Sequence, residues 1–224
     1  MAKKGEKENQ KGFEQVEDTL TKTERFIEDN YRQLLYGLAL IVVLVGAGWM
    51  IKMQLANKSD DALSQMYVAE EYFAKDSINL ALYGDGNYLG FIDIATEYSS
   101  TKPGNIANYY AGVCFLRSGE FEEAIDYFNK FKKNDLAISP IAYGCTGDAW
   151  VELGDITKGI EFYLKAVNHS DNNFYNPLYL LKAGQLYEME GNKAGALELY
   201  QRIKDSYPDS NEGNTIEKYL ARVN

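Results

Sequence analysis

The chain has 224 residues, of which 46% are hydrophobic and 25% charged, and its formal net charge is −10. An acidic chain lacks the surplus of lysine and arginine that nonspecific nucleic-acid binding requires, so that class of function is disfavoured. Cys114, Cys145 and the single histidine do not have the spacing of a zinc site, and we expect no metal or other cofactor. The two cysteines fit small buried residues, although a disulfide between them stays open in an oxidising compartment.

Residues 1–33 form a polar tail that carries an amphipathic pattern from residue 13 onward. Apolar and small polar residues recur there in alternating steps of three and four, as in a heptad repeat. The stripe consists of Phe13, Val16, Leu20, Thr23, Ile27, Asn30 and Leu34. It predicts a helix that forms a short coiled coil, binds a partner, or lies along a membrane surface.

An uncharged stretch of 18 residues, from Leu34 to Ile51, follows the tail. In a helix it is about 27 Å long, which is close to the hydrocarbon thickness of a bilayer. A secretory signal would begin nearer the N-terminus, and a buried core helix would rarely be apolar on every side, so we predict a single transmembrane helix over 34–52. Three basic residues closely precede the stretch and two follow it, which places the N-terminus in the cytoplasm. Residues 53–60 are predicted to be a linker.

Three segments of the region 61–211 share one pattern. Each has a glycine in a first helix, an aromatic residue three positions later, a turn glycine, and then a small and an aromatic residue in a second helix. The turn glycines Gly119, Gly154 and Gly191 are 35 and 37 residues apart. The helix positions are Gly112, Phe115, Ala124 and Phe128, then Gly147, Trp150, Gly159 and Tyr163, then Gly184, Tyr187, Ala196 and Tyr200.

This pattern closely resembles the tetratricopeptide repeat (TPR), in which two antiparallel helices meet across small residues and successive pairs stack. Residues 61–75 and 86–99 are predicted to be the helices of a degenerate earlier unit, and 212–224 a capping helix. We therefore predict an all-α fold, with one N-terminal transmembrane helix followed by a TPR-like α-solenoid of helix pairs. The chain has no nucleophile elbow, Cys/His pair or metal cluster, and we expect that it is not an enzyme and has no small-molecule substrate.

The resemblance also implies a binding groove lined by the first helix of each pair. Its positions correspond to Ile106, Tyr109, Val113, Leu116 and Arg117, to Asp148, Val151 and Glu152, and to Leu181, Gln185, Glu188 and Met189. The set is partly apolar and partly acidic, and lacks the Lys/Asn-rich character of a carboxylate clamp for chaperone tails. We expect an extended peptide or a partner helix to bind there. Alternatively, these residues bind no partner: they are only exposed to water in the groove, or they pack against a terminal helix.

The combination of one apolar span with a short repeat array resembles the YfgM-like single-pass TPR proteins, in the form found in Bacteroidota-type bacteria. Residues 84–131 carry most of the likeness, which covers roughly 13–224. The family implies a protein of the bacterial inner membrane with a cytoplasmic N-terminus and a periplasmic C-terminal domain. It also implies a scaffold or co-chaperone beside the Sec translocon, with translocon subunits, periplasmic chaperones or emerging secreted chains as partners. The alternative is an assembly factor of another cell-envelope complex, in outer-membrane biogenesis or a secretion system.

Overall fold

The computed structural model describes the backbone of residues 2–223 and the side chains of residues 21, 24–27 and 29–223. It divides into two compact units, Met1–Ala56 and Asn57–Asn224. All regular elements of the described residues are helices, so the predicted all-α solenoid of helix pairs is confirmed.

The first helix, α1, covers Ala2–Ala74 and contains the tail and the whole apolar stretch. It also includes residues 53–60, which the sequence predicts to be a linker. The segment is helical because it has no proline or glycine and consists largely of residues compatible with a helix. The boundary between the two compact units falls within it, after Ala56. The predicted heptad stripe lies on α1, but the side chains of Phe13, Val16, Leu20 and Thr23 are outside the described part of the chain.

Among the described residues, one helix segment is long and apolar enough to cross a membrane. It is Asp29–Ala74, whose most apolar window of 18 residues has a mean hydropathy of 2.4. None of that window is buried against the rest of the protein. A core helix of a soluble protein would be covered by neighbouring elements, so this segment does not act as a core helix.

The degenerate first unit differs from its prediction. The connection after α1 contains a short helix, α2 (Ile78–Tyr83), and the next helix, α3, covers Phe91–Glu97 and therefore starts later than the predicted residue 86. Gly84 and Gly86 adopt φ angles of +78° and +90°, which a helix cannot contain. The Asp85 carboxylate accepts hydrogen bonds from the backbone N–H groups of the two residues that follow Gly86, which fixes this turn.

Three regular helix pairs and a cap follow. They are α4 (Lys102–Ser118) with α5 (Phe121–Lys130), α6 (Ile138–Glu152) with α7 (Ile156–His169), α8 (Tyr175–Met189) with α9 (Lys193–Ser206), and the capping helix α10 (Glu217–Val223). The turn glycines lie between the helices of each pair with φ angles of +76° to +82°. Glycine reaches this left-handed conformation without strain, which explains why the turns repeat it.

The first-helix glycines provide the close approach within each pair. A Cβ atom on Gly112 would lie 2.7 Å from ring atoms of Phe128, and one on Gly184 would lie 2.3 Å from the ring of Tyr200. The middle pair has the same arrangement between Gly147 and Tyr163. Each aromatic ring therefore occupies the space that a side chain on the facing helix would need.

A further close contact joins successive pairs. A Cβ atom on Gly144 of α6 would lie 2.1 Å from the ring of Tyr179, which belongs to α8. Tyr179 is buried and stacks on Tyr163 with ring centroids 5.9 Å apart. Gly144 and Tyr179 are not part of the repeat pattern described above, because their contact connects two repeats and has no counterpart within one.

Candidate protein-binding groove

The first helices α4, α6 and α8 contact one another in order along the solenoid. A cavity of about 550 Å³ opens over them, and we call it the first-helix groove. Its lining residues are Leu116, Arg117, Gly119, Phe121, Asp148, Val151, Glu152, Tyr163 and Lys182. The structure thus brings together five of the residues predicted from the sequence, namely Leu116, Arg117, Asp148, Val151 and Glu152.

An ion pair crosses the groove between the second and third helix pairs. The Asp148 carboxylate accepts hydrogen bonds from Lys182 Nζ at 2.7 Å and from the Tyr163 hydroxyl at 2.5 Å. The Lys182 ammonium also lies 5.4 Å from the centroid of the Tyr163 ring. Burial, together with this hydrogen bond, raises the pKa of the Tyr163 hydroxyl, so the hydroxyl stays protonated and donates to Asp148.

A similar arrangement occurs between the third pair and the cap. Glu188 accepts hydrogen bonds from Arg222 Nη2 at 2.6 Å and from the Tyr200 hydroxyl at 3.1 Å. At the other end of the array, Arg117 Nη2 donates to Asp76 Oδ1 at 2.6 Å. Three of the predicted groove residues, Arg117, Asp148 and Glu188, therefore form ion pairs with residues that lie outside their own helices.

Sequence reasoning missed the basic partners of two of these acids. Lys182 follows Asp148 by 34 residues, and Arg222 follows Glu188 by the same interval. This interval is close to the repeat length, so an acid and a base separated by one repeat can meet across neighbouring helices. A search for opposite charges one repeat apart would have found both pairs.

The other predicted groove residues lie outside the first-helix groove. Ile106 lines a separate cavity of about 490 Å³ near the start of α4, and the Tyr109 ring packs against Tyr110, Phe128 and Phe131. Val113 and Leu181 pack against the hydrophobic core. Gln185 Nε2 lies 3.5 Å from the Tyr219 hydroxyl, and Met189 is 73% exposed.

The two cysteines are free thiols in this structure. Burial raises the pKa of each thiol to about 12, with the carboxylate of Asp148 adding to the effect at Cys145. Both thiols are therefore protonated at neutral pH and react slowly. In the described part of the chain, no group of three or more His, Cys, Asp or Glu residues could hold a metal ion.

Two tetratricopeptide repeat families match the chain, over residues 92–136 and 179–210. Solved structures with the same fold include the nearly identical TPR-like repeats of a candidate kinesin light chain from Podosopora anserina. That likeness has a TM-score of 0.55 at 12% identity and covers 74% of this chain and 86% of the other. The MamA protein matches with a TM-score of 0.51 at 16% identity, over 72% of this chain and 89% of its own. No curated protein matches the sequence.

These likenesses identify the fold as a TPR-like solenoid, which is the class the repeat pattern predicts. Tetratricopeptide repeats are scaffolds for protein–protein interaction, and neither matching family is a family of enzymes. The chain is accordingly a repeat protein with a candidate protein-binding groove and one long apolar helix segment.

The Asp148 ion pair gives a testable stability effect. Asp148→Ala leaves the Tyr163 hydroxyl and the half-buried Lys182 without their acceptor, and we expect the free energy of unfolding to fall by about 1–2 kcal/mol. Thermal unfolding of the purified full chain, followed by circular dichroism, measures the change. Glu161→Ala is the control, because it removes a surface ion pair with Lys165 whose side chains are about half exposed. The control should cost less than about 0.5 kcal/mol, and an equal loss in both variants would contradict the structural role of Asp148.

Proposed function

We propose that this protein is a membrane-anchored scaffold whose tetratricopeptide repeats bind a protein segment in the first-helix groove. The observation that carries the proposal is the apolar segment of α1, which shares the chain with the repeat array and has no part of its most apolar window buried. Such a surface is stable in hydrocarbon and costly in water, and its length of about 27 Å suits a bilayer. A signal sequence would have the same composition, and the experiments below separate the two.

The groove favours a particular chemistry in its ligand. Leu116, Phe121 and Val151 supply apolar surface. Glu152 is exposed and makes no hydrogen bond or ion pair with the described residues, whereas Arg117 and Lys182 already have acidic partners. We therefore expect a segment that places an apolar side chain in the groove and a basic group beside Glu152.

The proposed location is the bacterial inner membrane, with the tail in the cytoplasm and the repeats in the periplasm. The charge bias around the apolar stretch and the resemblance to YfgM-like proteins support this orientation. The proposed role is that of a scaffold or co-chaperone beside the Sec translocon, in the handling of secreted proteins. That part of the proposal rests on the family resemblance.

Membrane insertion and orientation are tested together with single cysteines. Asp209→Cys in the repeat unit should react with a membrane-impermeant maleimide added outside the inner membrane, and Glu24→Cys in the tail should react only after lysis. The unsubstituted protein is the control, because Cys114 is buried, Cys145 is partly buried, and burial raises the pKa of both thiols. The reverse labelling pattern would contradict the orientation. A mature chain that has lost its N-terminal residues, or that alkaline carbonate releases from membranes, would contradict the anchor.

The partner assignment is tested by capture. The tagged full chain, extracted in a mild detergent, should retain translocon subunits or periplasmic chaperones, identified by mass spectrometry. Capture of another envelope complex without any translocon subunit would contradict the Sec association and would favour an assembly factor of that complex.

A further inference from the structure

The proposed membrane anchor constrains one end of the repeat array through the length of the chain that joins them. The compact unit that contains the repeats begins at Asn57, six positions after Ile51, the last residue of the uncharged stretch. Six positions of fully extended chain cover at most about 20 Å. The end of the array that contains Asn57 is therefore always close to the membrane.

Contacts within the array show that the start of α4 lies at this same end. Lys58 Nζ is 6.0 Å from the centroid of the Tyr98 ring, which comes just before α4 begins. Asp76 comes just after α1 ends, and it accepts the hydrogen bond from Arg117 near the end of α4. The last part of α1 and the whole of α4 therefore run in the same direction.

The segments that connect one repeat to the next lie side by side along this end. The Asn105 side chain, in the first turns of α4, donates to the backbone oxygen of Lys132 at 3.2 Å and accepts from its N–H at 2.7 Å. The Ser170 hydroxyl donates to the backbone oxygen of Leu136 at 3.3 Å. We call the three connecting segments the connection edge, and they are residues 98–102, 130–137 and 169–174.

The connection edge exposes two large apolar side chains. Leu136 is 70% exposed and Phe174 is 72% exposed. In water such side chains are poorly solvated, whereas the boundary between lipid headgroups and acyl chains stabilises them. Because the anchor belongs to the same chain, that boundary is always within a short distance of the connection edge.

The charges of the connection edge suit anionic lipid. Its three segments contain four lysines and two aspartates, although the whole chain has a net charge of −10. Lys102 and Lys132 line the cavity of about 490 Å³ near the start of α4. Both are exposed and form no ion pair with the residues that the structure describes, so their ammonium groups are available to lipid phosphates. The Asp135 carboxylate instead accepts hydrogen bonds from two backbone N–H groups that follow it.

We propose that the connection edge docks on the surface of the membrane that anchors the chain. Leu136 and Phe174 insert among the headgroups, and the unpaired lysines contact the phosphates of anionic lipids. The proposal rests on the membrane anchor of the proposed function. It adds a second, peripheral contact with the same membrane, made by the repeat array itself.

Docking in this way has a consequence for the first-helix groove. The groove lining includes Gly119 and Glu152, which lie at the other ends of α4 and α6 from the connection edge. The docked array therefore holds the groove away from the lipid, where a protein partner can reach it. The fourth connection stays in water, because Asp209 and Glu212 make it acidic.

The docking is tested with an environment-sensitive fluorophore on single cysteines of the full chain, reconstituted in vesicles of phosphatidylcholine and phosphatidylglycerol. Leu136→Cys and Phe174→Cys place the fluorophore on the connection edge. Met189→Cys is the control, because Met189 is 73% exposed and lies at the opposite end of α8 from Phe174. The unsubstituted protein gives the background from the native thiols.

A nitroxide attached to the lipid headgroups quenches only fluorophores that come close to it. The 15 residues of α8 form a helix about 22 Å long, so the control position lies well away from the docked edge. We expect quenching at positions 136 and 174 to be at least about threefold stronger than at position 189.

A charge reversal tests the contribution of the lysines. In the Phe174→Cys protein, Lys132→Glu should lower the quenching at least about twofold, because attraction to the lipid phosphates becomes repulsion. Lys193→Glu makes the same change of charge at the start of α9, at the opposite end of the array, and should leave the quenching unchanged. In vesicles of phosphatidylcholine alone, the two variants should be quenched equally.

Equal quenching at the three labelled positions, or an equal effect of the two lysine changes with phosphatidylglycerol present, would overturn the docking. Alkaline carbonate extraction of the same vesicles reports on the anchor separately. An integral protein with equal quenching at all three positions would overturn the docking and leave the anchor standing. Release of the protein by carbonate, with quenching still confined to the connection edge, would overturn the anchor and show that the edge binds lipid by itself.

Discussion

Gly112→Leu is expected to destabilise the repeat array by about 3 kcal/mol, because the facing Phe128 ring occupies the space of the new side chain. A Cβ atom alone would lie 2.7 Å from two ring atoms of Phe128, and that ring is fully buried. Leucine favours a helix over glycine by about 1 kcal/mol, which offsets only part of the overpacking. For a chain of this size the loss corresponds to a fall of about 6–12 °C in the melting temperature, measured by circular dichroism.

Two further variants test the mechanism. Gly46→Leu makes the same change where an added Cβ would meet nothing within 4 Å, and it should leave the melting temperature of the array unchanged. Gly112→Leu combined with Phe128→Leu should lose less stability than the sum of the two single changes. The smaller leucine at position 128 leaves room for the new side chain at position 112, where the two helices of the pair cross. Strict additivity would contradict the overpacking mechanism.

Glu152→Lys is expected to reduce partner capture at least about tenfold, which corresponds to about 1.4 kcal/mol of binding free energy. The substitution places a positive charge where we expect a basic group of the ligand, so attraction becomes repulsion. Glu152 is exposed and makes no hydrogen bond or ion pair with the described residues, so the melting temperature should change by less than about 2 °C. Quantitative mass spectrometry of the proteins retained by the tagged full chain measures the binding effect.

The control for Glu152→Lys is Asp126→Lys, which changes the net charge by the same amount on the exposed surface of α5. It should retain the partner at the wild-type level. Equal loss of capture in both variants would show that overall charge governs binding, and unchanged capture in Glu152→Lys would show that the first-helix groove is not the binding surface. Tyr109 is unsuitable for this test, because its ring packs against three aromatic neighbours and its removal would destabilise the first pair.

The repeat pattern allowed the helix pairs to be predicted because each signal is local. A glycine at a left-handed turn such as Gly154, with a capping residue such as Asp155 directly after it, defines one helix boundary from adjacent residues alone. Local signals do not show that residues 53–60, a polar segment without helix breakers, are helical and continue α1. They failed around α2, because no periodic pattern distinguishes six helical residues from a loop.

The groove illustrates what local signals cannot provide. Their positions within the repeat predicted that Arg117, Asp148 and Glu188 contact a ligand. In the structure, each of them instead forms an ion pair with a residue outside its own helix. Those partners lie 34 or more residues away, and their distances depend on how the pairs stack. Glu152 differs from them because it forms no ion pair with any of the described residues.

For this protein, the helix pairs, the turn glycines and an apolar segment of membrane-spanning length can all be predicted from the residues alone. These features follow from residue periodicity and backbone preference over a few neighbouring residues. The packing of the folded chain was needed to show that Gly144 must accommodate Tyr179 and which groove residues remain available to a ligand. Those outcomes depend on side chains from separate repeats competing for the same space and the same charges.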